Sequence, residues 1–591
     1  MTRLAGIRGV LERNRTLRWV LYSVIVGVVS GLGACLFFVL LEWGSYFFLE
    51  YAAGYPLSKP GGEHLVALER SSVFRRWMLL FLPAFGGLLS GLLVYRYAPE
   101  AEGHGTDALI DAFHNKNGII RTRVPYVKGL ASIITLSTGG SAGREGPIAQ
   151  IGAGFGSWVA RLLHMNVRER RLMLLAGCAA GLGAIFRAPL GGALTAIEVL
   201  YREDFETEGI ILCIMSSVIA NAIFISIFGQ RPIFDIPPIH FANPVELLFY
   251  AALGLVCVPF GFAYVKIFYG MRDYFFRRLP LKKSLIPTVG GLMVGLIAYW
   301  RPEVMSGGYG TIQEALFGRL PVTLMLSLAV LKILATSFTI SSGGSGGVFG
   351  PSLFIGAMLG GAVGQVSYGL FPQWVGDPGA FALVGMGAFF AGVAKAPIGA
   401  LLMVCEMTGG YGLVVPLMFA SVIALLCSQG WSLYEKQVLN KFHSPAHRTD
   451  MVMNVLQDVK VRDVYDPSLP VTSLPEDMTF RELKRFMVHT RESFFPVVDE
   501  RFHLKGILSL QDIRTVLFED AVAELLVVGE LASPPVRLSP DESLYEALMK
   551  FLASGYGQIP VEEKDLGVVG MLRLEDLMHA YHKEMQRLRE D

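Results

Sequence analysis

The sequence predicts a polytopic all-α membrane domain of two inverted-topology repeats with broken helices, followed by a cytoplasmic α+β tail made of two smaller repeats. Three observations predict it. The chain has 591 residues, is 52% hydrophobic and has a mean hydropathy of +0.48, too apolar for an ordinary soluble enzyme. That apolarity is concentrated between residue 19 and about 430, whereas the last 140 or so are mixed and charged. Each part also repeats itself, the first at an offset of about 203 to 208 residues and the tail at 64.

Residues 1–18 carry Arg3, Arg8, Arg13, Arg15 and Arg18 ahead of the first apolar run, Trp19 to Leu41. This basic flank predicts a cytoplasmic N-terminus, and the run is too long for the core of a cleaved signal peptide. Residues 19–440 form the membrane domain, with halves at about 19–230 and 245–430. Further apolar runs lie near 79–95, 130–160, 172–200, 209–228, 247–265, 285–300, 322–340, 352–370, 380–404 and 412–428. Several are too short or too broken by Gly and Pro to cross about 30 Å of hydrocarbon as straight helices. Between the halves, Arg272, Arg277, Arg278, Lys282 and Lys283 make a second basic, cytoplasmic loop. A net charge of only +1 argues against a nucleic-acid partner. All six cysteines fall in apolar segments, as buried thiols do, and no metal-spaced cluster, Ser/His/Asp set or phosphate-binding loop suggests an enzyme.

The halves match through three motifs in the same order. Pro99-Glu-Ala-Glu-Gly-His-Gly-Thr106 resembles Pro302-Glu-Val-Met-Ser-Gly-Gly-Tyr-Gly-Thr311. Thr138-Gly-Gly-Ser-Ala-Gly-Arg-Glu-Gly-Pro147 matches Ser342-Gly-Gly-Ser-Gly-Gly-Val-Phe-Gly-Pro351 at six of ten positions, with Phe349 opposite Glu145. Arg187-Ala-Pro-Leu-Gly-Gly192, with Glu198 after it, matches Lys395-Ala-Pro-Ile-Gly399, with Glu406 after it. Repeats interrupted at corresponding points mark a transport site at their interface. Glycine-rich turns that open helices expose unpaired N–H groups and a partial positive charge, which suits an anion. Glu145, an expensive carboxylate at that depth, would compete with the anion for those donors: ionised it blocks, protonated or displaced it opens. A structural Arg144–Glu145 ion pair is the alternative reading.

Gly143-Arg-Glu-Gly-Pro147, Gly346-Gly-Val-Phe-Gly-Pro351 and Glu406-Met-Thr408 resemble the signature motifs of CLC chloride channels and proton–chloride exchangers, and the tail resembles the paired CBS domains many of them carry. The resemblance spans nearly the whole chain. It implies chloride as the transported ion, a two-fold homodimer with one pore per subunit in the plasma (bacterial inner) membrane, and both termini in the cytoplasm. Carried over, Glu145 is the gating glutamate. The chloride-binding set is His104, Gly105, Arg144, Glu145, Gly146, Val348, Phe349 and Tyr434, with the amides of Val348 and Phe349 and the hydroxyl of Tyr434 as ion donors. From the residues alone, Tyr434 could equally be an interfacial aromatic. His104 stands where the family usually has a serine; it predicts pH-sensitive conduction, or else a packed histidine without an ion contact.

A second departure is Val199, where family exchangers commonly place a proton-passing glutamate. Val199 carries no proton, so the leading expectation is a passive, pH- and voltage-gated chloride channel. A proton-coupled antiporter remains open, with Glu198 and Glu203 as substitute carriers, since some exchangers lack that glutamate. The third hypothesis makes the tail a nucleotide or ionic-strength sensor anchored by the membrane part.

After a linker at 441–457, the tail divides into a first unit at 458–522 and a second at 523–591 with a C-terminal helix. Leu474, Asp477, Pro496, Gly506 and Asp512 recur as Leu538, Asp541, Pro560, Gly570 and Asp576. Neither unit alone buries much surface, so a pseudo-symmetric pair is expected. Adenine nucleotide is the candidate ligand, through Ser509 and Asp512 in the first unit and Asp576 in the second, where Arg573 replaces the hydroxyl residue. No cofactor is required for transport.

Overall fold

The computed structural model describes residues 15–63, 73–237, 241, 243–447, 456–490, 492–514, 516, 525–564 and 566–590. Arg3, Arg8 and Arg13 and residues 448–455 of the expected linker lie outside the described residues. The chain forms two compact units, one ending at Ala446 and one beginning at His447.

The first unit is helical. Its first set is α1 (Arg15–Ser45), α2 (Met78–Tyr97), α3 (Thr106–His114), α4 (Arg123–Ser137), α5 (Glu145–Leu162), α6 (Val167–Ile185), α7 (Pro189–Glu198) and α8 (Ile210–Phe228). The second set repeats the order: α9 (Glu246–Gly270), α10 (Ile286–Trp300), α11 (Tyr309–Leu316), α12 (Val322–Ser341), α13 (Phe349–Leu370), α14 (Pro378–Ala394), α15 (Pro397–Thr408) and α16 (Val414–Leu426). Among the described residues, seven helical stretches are long and apolar enough to cross a bilayer. Side chains such as Leu36, Ile211, Leu248 and Trp300 stand exposed, as lipid permits and water does not.

The breaks between helices follow from local chemistry. A residue before proline is pushed out of the α region, and Ala188 and Ala396 adopt nearly the same extended dihedrals (φ −128°, ψ 72° and φ −129°, ψ 69°). Pro189 and Pro397 then open α7 and α15, where a missing N–H costs nothing.

Polar contacts repeat with the helices. Lys128 Nζ donates to the carbonyls of Ala101 and Gly103 before α3, and Lys332 Nζ to those of Val304 and Ser306 before α11. Ser132 Oγ lies 2.9 Å from Ser345 Oγ, and its counterpart pair is Ser141 with Thr336 at 3.1 Å. Gly143 and Gly347 exchange backbone hydrogen bonds (2.8 and 2.6 Å) as an antiparallel bridge. An antiparallel exchange between equivalent residues is what a two-fold axis relating inverted repeats produces.

In the second unit, β1 (Leu474–Pro475), α17 (Phe480–Met487), β2 (Phe494–Val498), β3 (Leu504–Ser509), α18 (Leu510–Ile513) and α19 (Val528–Leu531) form one half. The other holds α20 (Leu544–Ser554), β4 (Gln558–Glu563), β5 (Gly567–Arg573) and α21 (Leu574–Glu590). In the first half β2 pairs parallel with β1 and antiparallel with β3, and in the second β4 pairs antiparallel with β5. The flanking segments are exchanged. Leu456 and Val461 pack in the core of the second half, with Val461 N–H donating to the Glu542 carbonyl, whereas Val528 packs in the first. Each half is too small to cover its sheet alone and borrows the other's flank.

Candidate functional site

Glu145 is the first residue of α5 and is only 4% exposed. Its carboxylate turns across the pseudo-two-fold axis toward the start of α13, where the N–H groups of Phe349 and Gly350 face it together with its own. Neither oxygen makes a hydrogen bond of normal geometry to a protein group. Glycine leaves room for it: a Cβ added at Gly143 or Gly347 would run into the carboxylate, and at Gly347 into the Gly146 backbone as well. Val348 caps α13 and is buried, while the Phe349 ring lies away among Phe186 and Phe390, with centroids 5.4 and 4.3 Å distant.

Arg144 does not pair with Glu145. Its guanidinium points the other way and makes a bidentate ion pair with buried Glu63, and it lies over the rings of Phe38, Phe186 and Tyr309. Two parallel charge-assisted bonds fix the arginine, and so the peptide that delivers Glu145.

A cavity of about 20 Å³ lies beneath the carboxylate, lined by Thr106, Glu145, Gly146, Cys178, Thr195, Val199, Phe349, Phe390 and Tyr434 among others. That is room for one water-sized particle. Polar groups converge there: the Tyr434 hydroxyl faces the Thr106 side chain, and Thr195 Oγ1 is buried without a protein partner. Tyr434 is held by its N–H to Ser432 Oγ (3.1 Å) and by Leu433 N–H to the Val393 carbonyl (2.8 Å). Gly105 opens α3 at φ 83°, and a side chain there would meet Gln150 and the Gly146 carbonyl.

The remaining predicted residues fall as follows. His104 is buried with Nε2 3.1 Å from Asp107 Oδ2 and its ring 5.5 Å from that of Tyr434. It is Thr106, not His104, that lines the cavity. Val199 lines it too. Glu198 is committed elsewhere, its oxygens accepting from Ile398 N–H (3.1 Å) and Gly399 N–H (2.7 Å) at the start of α15. Glu406 does the same for Leu190 and Gly191 at the start of α7 (3.2 and 2.7 Å). Glu203 is exposed. In the tail, Asp512 accepts from Ser509 N–H and Oγ and from Ser533 Oγ, so its carboxylate serves the N-cap of α18. Asp576 lies in the first turn of α21.

Sequence reasoning missed Glu63, Lys128, Lys332, Thr106 and Thr195. The lysines were findable as charges inside apolar helices at matching positions. Glu63 was not, because nothing in its loop says which side chain it meets.

Inverted helical repeats that hold one carboxylate over a cavity of ionic size define an anion-transporting membrane protein. A family model described as voltage gated chloride channel matches residues 86–429, and a CBS domain model matches 461–519 and 528–583. The chain belongs to the voltage-gated chloride channel family and is a multi-pass membrane protein with a CBS pair. It is 34% identical over 435 residues to the H(+)/Cl(-) exchange transporter ClcA of Cronobacter sakazakii, covering 72% of this chain and 90% of the relative. It is 33% identical to the ClcA of Salmonella paratyphi B, covering 72% and 88%. Among solved structures, a slow cyanobacterial Cl-/H+ antiporter superposes with TM-score 0.62 at 24% identity, covering 71% of this chain and 96% of the other. A eukaryotic CLC transporter superposes with TM-score 0.59 at 20% identity, covering 95% and 98%. These two likenesses concern the fold.

Proposed function

We propose that this protein exchanges chloride for protons, with Glu145 as gate of the anion path and as outer proton carrier. One observation carries the reading: the Glu145 carboxylate sits on the donors of α13 above a cavity with room for a single particle. Chloride and an ionised carboxylate then want the same seat, and a protonated carboxyl yields it. Movement of one is thereby tied to movement of the other. Exchange replaces the passive channel as the leading reading because the ClcA relatives are named as exchangers.

The channel remains the second reading, supported by Val199, an aliphatic side chain where exchangers commonly carry a glutamate. In either case chloride would be ligated by the Val348 and Phe349 amides, Tyr434 and the Gly105 and Gly146 backbone. The working unit would be a two-fold dimer with both termini cytoplasmic, and adenine nucleotide is the ligand to test on the tail.

Purified protein in liposomes under a chloride gradient tests the proposal. Chloride and proton movements are recorded together. Exchange predicts protons driven uphill by chloride; chloride flux with no proton movement would return the assignment to a channel.

A further inference from the structure

Exchange requires a proton route from Glu145 to the cytoplasmic side, yet Val199 offers no acid and Glu198 is tied to α15. Building on the exchange reading, we infer that Glu206 is the inner proton carrier, reached from the anion cavity past Cys178 and Cys213 and linked onward through Tyr201, Ser444 and His114.

The chain after α7 folds back so that Glu206 N–H donates to the Ile197 carbonyl at 3.0 Å, which sets Glu206 beside the end of α7 and hence beside Val199. Glu206 is 1% exposed. Its Oε2 accepts from the Tyr201 hydroxyl at 2.8 Å. Tyr201 also meets the Ser444 hydroxyl, Ser444 Oγ lies 2.7 Å from His114 Nδ1, and His114 Nε2 lies 3.1 Å from the Leu200 carbonyl. Acid, phenol, hydroxyl and imidazole thus form one buried, hydrogen-bonded chain.

The other end points toward the gate. Cys178 lines the cavity that Glu145 and Val199 share, and Cys213 interacts electrostatically with both Cys178 and Glu206. Thr195 supplies a buried hydroxyl for a water in that cavity. Among the described residues, the charged groups facing the Tyr201–Glu206 pair include Arg171, from α6, and Asp204, on the same loop. A buried carboxylate at the end of a hydrogen-bonded chain of phenol, hydroxyl and imidazole is placed to take up and release protons. Protonated Glu145 gives its proton to water in the cavity and returns to a carboxylate; the proton then passes by way of the Cys178 and Cys213 thiols to the Glu206 carboxylate, which becomes a carboxylic acid. Glu206 then passes it along the Tyr201 and Ser444 hydroxyls to His114.

Full-length variants in liposomes test this through the ratio of proton to chloride flux. Glu206→Gln should lower the ratio at least about tenfold, whereas Glu203→Gln, outside the network, should leave it unchanged. Adding Val199→Glu to Glu206→Gln should restore much of the lost proton flux, which also proves that variant folded. Tyr201→Phe, which keeps the acid and cuts its link, should lower the ratio as well and serves if Glu206→Gln cannot be reconstituted. An unchanged ratio in Glu206→Gln or Tyr201→Phe overturns the role of Glu206 and leaves exchange standing. A wild-type protein that moves no protons overturns both.

Discussion

Glu145→Gln is the sharpest probe of a shared seat, because it removes charge while keeping size. In the ionised state the carboxylate faces the Phe349 and Gly350 amides. Neither Glu145 oxygen makes a hydrogen bond of normal geometry, so the two amides hold the carboxylate by about 1.5–3 kcal/mol in all, less firmly than two charge-assisted bonds would. A neutral amide oxygen keeps about half of that. The difference, about 0.7–1.5 kcal/mol, corresponds to a roughly three- to tenfold gain in chloride affinity. The assay is calorimetric titration of chloride into detergent-solubilised protein across a pH series. In the wild type the competitor is the ionised form, so affinity should rise as pH falls through the titration of this carboxyl and level off below it. In the variant affinity should be flat and lie near the wild type's acid limit. A wild-type affinity independent of pH, or a variant with the wild-type slope, would refute competition for one seat.

Further outcomes follow from the same structure. Thr106→Val should weaken chloride binding by about 1 kcal/mol through loss of a hydroxyl at the cavity, while a pH profile of flux left unchanged by His104→Ser would deny His104 an ion contact. Glu63→Ala strands the buried Arg144 guanidinium and should cost about 3–5 kcal/mol, read as a drop in thermal unfolding temperature. Glu198→Gln and Glu406→Gln should each cost about 1–3 kcal/mol through the helix starts they cap, and Glu198→Gln should leave the proton-to-chloride ratio intact. In the tail, Thr479→Ala should loosen α17 by about 1 kcal/mol, seen by hydrogen exchange over residues 480–487. Thr479 holds the Glu482 carboxyl below its ordinary value, and the His503 amide does so for Asp499. Depressed values mean a contribution fully present above the ordinary carboxyl range near pH 4 and lost below it, so exchange protection there should fall on acidification.

The repeat was legible because its cause is steric. Where the two turns exchange bonds through Gly143 and Gly347, larger side chains would collide with the Glu145 carboxylate, so the same small residues recur at matching offsets. The helix breaks at Ala188-Pro189 and Ala396-Pro397 were legible for a similar reason, since proline acts on its own neighbour. The partners of Arg144 and Glu198 were not. Each is set by a segment distant in sequence, residue 63 for one and α15 for the other, and no local pattern encodes such a pairing. The exchanged flanks of the tail were hidden by its symmetry. Two equivalent half-sheets offer Leu456 and Val461 equally suitable covers, and the sequence around them does not say which is nearer.

The place where the repeat is unequal bears on the proposed gate. Symmetry is kept wherever it builds the seat: the glycine pair, the two lysines that tie the α3 and α11 loops, the two hydroxyl pairs, and the reciprocal caps of Glu198 and Glu406. It fails at the two residues that follow the glycines, Arg144-Glu145 against Val348-Phe349. The bridge between Gly143 and Gly347, 2.6 Å at its shorter bond, forces those residues close to the axis. Were Phe349 also a glutamate, two carboxylates about 5 Å apart would repel by about 3 kcal/mol at an effective dielectric of 20, with one seat between them. The second would stay protonated or be expelled, and neither state responds cleanly to chloride. Phe349 instead contributes its amide to the seat and its ring to the aromatic wall with Phe186 and Phe390. In the proposed exchange, one half supplies the movable charge and the other the donors that receive it. An inverted repeat with a single charged member can therefore gate an ion that a fully symmetric one would leave either always bound or always barred.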